Sequence, residues 1–220
     1  MKLSKETISF LKNFATISGN LLIKPGSVIN TISASKAIYA SIKVPETFGT
    51  QFGIYDLNEF LGVLSLFENP DIDFESERLA TIKEGRSRIR YYSADESVLT
   101  VPSKAITLPP GDVAFTMTAE QINQITKTAG VIRAPDVIFK SVAGQGLVVS
   151  VGDKTNDSSN TYDIELGDSD ETFQASIKVE NLKLIPGNYN VEIVAKKALK
   201  FTSGDLMYVL SLEKDSTFDY

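Results

Sequence analysis

Apolar residues recur at helical spacing from the start of the chain. At about 100° per residue, Leu3, Phe10, Leu11 and Phe14 fall on one side of a helix predicted over residues 5–16. Lys2, Lys5, Ser9 and Lys12 gather within roughly a quarter of the circumference on the other side, so the helix can pack on a core while turning ammonium groups outward. Short apolar runs follow over 21–54, broken at Lys24-Pro25-Gly26 and Phe48-Gly49-Thr50, and read as several strands. Helical spacing returns over 57–67, with Asp56 as N-cap and Glu59 three residues on for a capping-box variant. Runs at Phe74, 79–82 and 86–92 complete a sheet, with Glu84-Gly85-Arg86 supplying a turn.

Pro102, Pro109, Pro110 and Gly111 then crowd into a stretch that proline keeps out of sheet ladders, which marks residues 101–111 as a connector between domains at 1–100 and 112–220. The second half opens with a strand over 114–116 and a helix over 119–129, whose Ala119, Ile122, Ile125 and Ala129 share a face and whose Gln121, Gln124 and Lys127 point outward. Strands are predicted at 137–139, 147–151, 162–166 and 172–177, with residues 152–160 as a polar hairpin tip. A short helix over 179–184, a Pro186-Gly187-Asn188 turn and strands at 189–195 and 207–212 end the chain. Helix, strands, helix, strands thus occurs twice, and the chain reads as a duplicated α+β protein on element order alone.

The composition narrows the chemistry. With 220 residues, 42% of them hydrophobic and 23% charged, the chain suits one large domain or two of about 110 residues. No apolar run approaches the roughly 18 residues of a membrane span, and no continuous apolar segment follows the N-terminal lysines. The expectation is a cytoplasmic or nuclear protein with no membrane partner. Cysteine, histidine and tryptophan are absent, which removes thiolate nucleophiles, imidazole bases and Cys/His zinc sites together.

Ser-x-x-Lys spacing occurs at Ser9/Lys12, Ser33/Lys36 and Ser211/Lys214, but Lys12 belongs to the solvent-facing stripe and has no burial to lower its pKa. Asp71/Asp73 and Asp168/Asp170 lack the further oxygen ligands of a calcium loop. Gly144 and Gly146 lack the rest of a dinucleotide fingerprint, and Asn156-Asp157-Ser158 is a sequon in a chain without a secretory signal. No catalytic residue, metal site or cofactor is expected.

Charge is unevenly distributed. Residues 1–108 hold 12 basic and 12 acidic side chains, whereas 109–220 hold 10 and 16, so the net charge of -6 lies in the second half. A lysine stripe on such a chain suggests a polyanion that meets one surface only. Arg86, Arg88 and Arg90 alternate along one predicted strand, opposite Ser87, Ile89 and Tyr91, while Asp163 and Glu165 share a face of another, with Asp157 beside it. Two readings stay open: these strands are oppositely charged edges that pair head to tail between copies, or each edge is charged to prevent pairing.

Residues 1–18, Tyr55-Asp56-Leu57-Asn58 with the following Phe60-Leu61-Gly62 and Leu64-Ser65-Leu66, Ile164–Asp168, Pro186–Ile193 and the terminal Asp215–Tyr220 together resemble the sliding clamps of T-even-type bacteriophages, over nearly the whole chain. The resemblance implies two similar clamp-type domains, each with curved antiparallel sheets and two helices. It further implies a homotrimeric ring around duplex DNA, partnership with a DNA polymerase and a clamp loader, and residence in the cytoplasm of an infected bacterium. Lys5, Lys12, Lys127 and Lys183 become candidate DNA-facing residues, with Lys2 and Arg133 as additions. Arg86, Arg88, Arg90, Tyr91, Asp163 and Glu165 become candidate subunit-interface residues. A partner groove near the connector would take in Val101, Ile106, Leu108, Phe218 and Tyr220, although packing of the terminal aromatics on the body explains them as well. The competing readings are a β-rich viral structural or assembly protein, in which the lysines are a solvated face, and a hydrolase using carboxylates or Ser/Lys.

Overall fold

A computed structural model describes residues 1–142 and 145–219. The chain divides into two units, Met1–Ile106 and Thr107–Tyr220.

In the first unit, α1 (Lys5–Ile17) is capped by Ser4, whose side chain accepts from the Thr7 amide. Its buried residues Thr7, Leu11, Phe14 and Ile17 recur at three and four and form the face that docks. β1 (Leu21–Ile23), β2 (Gly26–Ile32), β3 (Ile38–Phe48) and β4 (Phe52–Ile54) follow. β1 pairs with β4, and β2 with β3, all antiparallel. Next, α2 (Leu57–Ser65) lies beside α1. β5 (Asp71–Ser76), β6 (Leu79–Glu84) and β7 (Ser87–Tyr92) then form an antiparallel meander. An aromatic cluster joins these parts, with Phe74 edge-on to Phe48 and Phe52, and Tyr91 edge-on to Phe60 of α2.

The second unit runs β8 (Val113–Met117), α3 (Ala119–Ile132), β9 (Asp136–Ser141), β10 (Leu147–Gly152), β11 (Tyr162–Gly167), β12 (Phe173–Lys178), β13 (Tyr189–Val194), β14 (Ala198–Ser203), β15 (Leu206–Ser211) and β16 (Thr217–Phe218). One set of neighbours is β11-β10-β9-β12-β16 and another is β15-β14-β13-β8, antiparallel throughout. Ile122, Ile125 and Ala129 are the buried face of α3, and Val149 and Val151 of β10 are fully buried. The architecture is therefore α+β with antiparallel sheets, as the sequence pattern implies.

The structure departs from the pattern in two places. The helix expected at 179–184 is a single 3₁₀ turn, Val179–Asn181, so the second unit has one α-helix among its described residues where two were expected. Lys178 supplies no side-chain cap there, Leu182 leaves the helical region at φ -80 and ψ 60, and Pro186 restricts the residue before it. The strand β14 is absent from the expected elements, although Leu199 and Phe201, both fully buried, alternate with Lys200 and Thr202 as a half-buried strand requires. Its turns are Lys196 (φ 61) and Gly204 (φ 57), the latter a left-handed position that glycine accepts without strain.

Candidate nucleic-acid interface

The outward face of α1 carries Lys5, Ser9, Lys12 and Thr16, all exposed, and no carboxylate among the described residues lies within ion-pair distance of either lysine. The face behind them is anchored by Leu11 and Phe14, 1% and 0% exposed. Lys2 leaves this stripe, because the helix begins only at Lys5. The residues before it are extended, and Met1 pairs with β5. Its ammonium donates to Asp71 Oδ1 at 2.7 Å and the Ile72 carbonyl at 2.6 Å, while its carbonyl accepts from the Ile72 amide at 2.7 Å.

The first turn of α1 is held by a residue the sequence pattern did not single out. Glu46 on β3 accepts from the Ser4 amide and, at 2.6 Å, from the Thr7 hydroxyl. Burial works against its charge, but these two donors outweigh it and hold the carboxyl below its ordinary value. The available signal was negative: the third helical position is Thr7, where a capping box would place Glu or Gln.

On α2 the cap is Asp56, whose Oδ1 accepts from the Asn58 and Glu59 amides at 2.9 and 3.1 Å. Glu59 does not complete a capping box; its Oε2 instead meets the Tyr91 hydroxyl at 3.4 Å. The exposed side of α2 is Asn58, Glu59, Gly62 and Ser65, with no basic residue.

On α3, Thr118 and Gln121 form a full capping box, which takes Gln121 out of the outward face. That face shows Glu120, Gln124 and Lys127, together with Val131 at 82% exposure. Arg133 ends the helix in the left-handed region (φ 55, ψ 38) with its side chain exposed. Lys183, expected on a fourth helix, follows the 3₁₀ turn instead and is half-buried. Of the six candidate DNA-facing residues, then, Lys5, Lys12 and Lys127 stand on the outward faces of α-helices.

The charged strands are both edges of their sheets. β7 pairs with β6 on one side, and β11 with β10 on one side. Arg88 and Arg90 share an exposed face with Tyr92, which is 69% exposed. Arg86 sits in the turn beyond left-handed Gly85 (φ 57) and is not part of the strand. Tyr91 belongs to the core: its ring lies 5.2 Å from that of Phe60, and burial, reinforced by Glu59, pushes its hydroxyl up to about 12. On β11, Asp163 and Glu165 are exposed on one face, while Tyr162 reaches Gln124 of α3 at 3.3 Å on the other. Each edge thus presents charge on the face away from its helices and apolar or aromatic groups on the helix side. Arg88 and Arg90 stand on one edge, Asp163 and Glu165 on the other.

The connector carries no helix or strand over 99–112, and its Val101, Ile106 and Leu108 are half-buried. Phe218 is not a free tail aromatic; it pairs in β16 with β12 and stacks on Phe173 at 6.1 Å and 12°. Tyr220 lies outside the described residues. Among the described residues no group of three or more carboxylates is arranged to hold a metal ion. A second polar device appears in the C-terminal unit. Asp136, fully buried, accepts from Lys178 Nζ at 2.6 Å, and Lys154 Nζ reaches Ser176 at 2.9 Å and Asp215 at 2.6 Å.

A family model for the DNA polymerase processivity factor matches residues 4–101, and a model for the gp45 sliding clamp, C terminal, matches residues 99–214. The chain is 36% identical to the sliding clamp of Enterobacteria phage T4, over 100% of both chains. It is 32% identical to that of Escherichia phage RB69, also over 100% of both. For the sliding clamp of Vibrio phage KVP40 the identity is 28%, over 97% of this chain and 99% of the other. Among solved structures, the A. fulgidus PCNA bound to the C-terminal region of FEN-1 superposes with a TM-score of 0.70 at 13% identity, covering 99% of this chain and 100% of that one. The Pseudomonas aeruginosa DNA polymerase III subunit beta gives a TM-score of 0.68 at 14% identity, covering 97% of this chain and 64% of that one. At these identities the likeness to solved structures is one of fold.

Proposed function

The chain belongs to the phage sliding clamps, and from that premise we propose that it forms a ring around duplex DNA that tethers a DNA polymerase for processive synthesis. The observation that carries this is kinship with phage clamps over the full length, combined with a helix that shows two exposed lysines on an acidic protein. A clamp must hold DNA without reading it. Phosphate contact through flexible ammonium groups does so, because the charge pattern of the backbone is the same at every base pair. Lys5 and Lys12 of α1 and Lys127 of α3 make these contacts, and Arg133 and Lys183 contribute further positive charge; Lys2 takes a lesser part because its segment pairs with β5. Kinship with processivity factors also argues against the structural or assembly reading. A tether needs no catalytic group, and we assign none.

Three copies close the ring head to tail, β7 of one against β11 of the next. The matching faces support this: Arg88 and Arg90 would lie beside Asp163 and Glu165 on the outer side, and Ile89 beside Ile164 and Leu166 on the helix side. The half-buried connector residues Val101, Ile106 and Leu108 would receive apolar side chains of the polymerase and the clamp loader, in the cytoplasm of the infected host. Sedimentation equilibrium tests the assembly. A mass of three chains is expected, weakening with salt. The paired change Arg88→Glu and Arg90→Glu should release monomers, and Asp163→Arg with Glu165→Arg in the same chain should restore the ring. A salt-independent monomer at micromolar concentration would refute the ring.

A further inference from the structure

The helix that carries Lys5 and Lys12 starts without the means to cap itself fully. Ser4 Oγ accepts from the Thr7 amide at 3.1 Å and donates to Thr7 Oγ1 at 3.0 Å, which satisfies one orphan donor of the first turn. In a capping box the third helical residue returns a carboxylate or amide to the N-cap amide. Thr7 occupies that position, and its side chain is too short to do so. The missing acceptor comes from β3. One oxygen of Glu46 takes the Ser4 amide, 42 positions away, and the other takes the Thr7 hydroxyl at 2.6 Å, 39 positions away. The box is closed through the sheet, and Thr7, fully buried, is bolted to β3 in the process.

We propose that Glu46 is a positioning residue for DNA contact. It pins the first turn of α1 to β3, so that Lys5 at the first helical position, and Lys12 on the same face, meet the phosphates from fixed points. The inference rests on the reading that α1 faces DNA. Leu11, Phe14 and Ile17 dock the rest of the helix, so loss of Glu46 leaves α1 in place and frees its first turn. Fixed points matter because a lysine on a fraying turn must be ordered each time it meets a phosphate, and that entropy is subtracted from binding. Both oxygens of Glu46 are occupied by amide and hydroxyl donors, so its charge opposes the positive end of the helix dipole and spends little on repelling DNA.

Charge and positioning make opposite demands. Glu46→Gln adds one positive unit per chain close to the basic face; if Glu46 acted only through its charge, retention on DNA would rise. Positioning requires that it fall. The experiment uses the full-length ring on nicked circular DNA, with Glu46→Gln and Glu46→Ala beside the parent protein. Retention half-life is read against salt, amide exchange at Ser4 and Thr7 by mass spectrometry, and assembly by sedimentation. In Glu46→Ala, exchange in the first turn should quicken about tenfold and retention should shorten several-fold; Glu46→Gln, whose one remaining acceptor oxygen can take the Ser4 amide but not the Thr7 hydroxyl as well, should shift both in the same direction by less, and the mass of the ring should not change in either. The double variant Glu46→Ala with Thr7→Glu moves the acid onto the helix. It should restore protection of the first turn and leave retention low, because the tie to β3 is still cut. Unchanged or longer retention in Glu46→Gln, or full recovery in the double variant, would overturn the proposal. Lys5→Ala with Lys12→Ala separates the two layers. If that pair shortens retention and Glu46→Gln does not, positioning alone fails; if the lysine pair has no effect, the DNA-facing reading of α1 falls and the proposal with it.

Discussion

Replacing Lys12 with alanine tests phosphate contact where the structure makes the expectation cleanest. Lys12 is exposed on the middle of α1, between Ser9 and Thr16, and no carboxylate among the described residues lies within ion-pair distance. Leu11 and Phe14, 1% and 0% exposed, hold the helix from the other side. Alanine is at least as good a helix former as lysine, so stability should move by no more than about 0.5 kcal/mol. The DNA term is much larger in relative effect. Each phosphate contact contributes about 0.9 to the slope of log K against log salt concentration. If all three copies in a ring touch the duplex at once, the slope should fall by up to about 2.7, and by about 0.9 if one copy touches at a time. Over a fourfold rise in salt, the larger value means that the variant loses about 40-fold less affinity than the parent. The assay is the dissociation rate from nicked circular DNA between roughly 50 and 200 mM salt, with Ser9→Ala as the neighbouring control. A slope that stays within about 0.3 of the parent, with normal trimer mass, would show that Lys12 meets no phosphate and would refute the reasoning.

Other expectations follow from the polar devices and close contacts. Lys178→Met should destabilise by about 3 to 5 kcal/mol in urea titration, because it strands the fully buried carboxylate of Asp136; Asp136→Ala should cost less, since Lys178 is 35% exposed and can turn to water. Equal losses for the two variants would contradict that asymmetry. Gly53→Ala should cost more than about 2 kcal/mol by the same titration, since a Cβ there would stand 2.3 Å from the Ala94 carbonyl oxygen, a backbone atom that cannot swing aside. The carboxyl of Glu46 lies below its ordinary value of 4.5, so the unfolded chain takes up that proton first. Its stabilisation is complete above 4.5 and fades as pH falls through the lower folded value; Glu46→Gln should therefore flatten part of the acid limb of stability against pH, leaving the shares of Asp71 and Asp215, which are also held low.

Local periodicity, with Asp56 as a cap for the second, was sufficient to identify α1, α2 and α3, because the information for a helix lies within a few turns. Ser4, Asp56 and Thr118 all cap as their residue types suggest. The same holds for most strands and for the outward placement of Lys5, Lys12 and Lys127, which follows from helical geometry once the apolar face is known. What the tertiary structure decided lies where a residue's partner is far away in the chain. Met1 finds Ile72, and Lys2 leaves the helix. Tyr91 finds Phe60 and becomes core, on the face that alternation sets opposite the arginines, although the resemblance grouped it with them at a subunit interface. Phe218 finds Phe173. Glu46, one acid among 28, gains its role only because β3 passes the first turn of α1. That β7 and β11 are edges, and that their charges lie away from the helices, is a property of strand order, which no local window of sequence contains. Sequence by itself determined α1, α2 and α3 and the outward placement of Lys5, Lys12 and Lys127; the tertiary structure reduced the helix expected at 179–184 to a 3₁₀ turn and took Lys2 out of the stripe, and hydrogen bonds and contacts across tens of residues decided how firmly each segment is held.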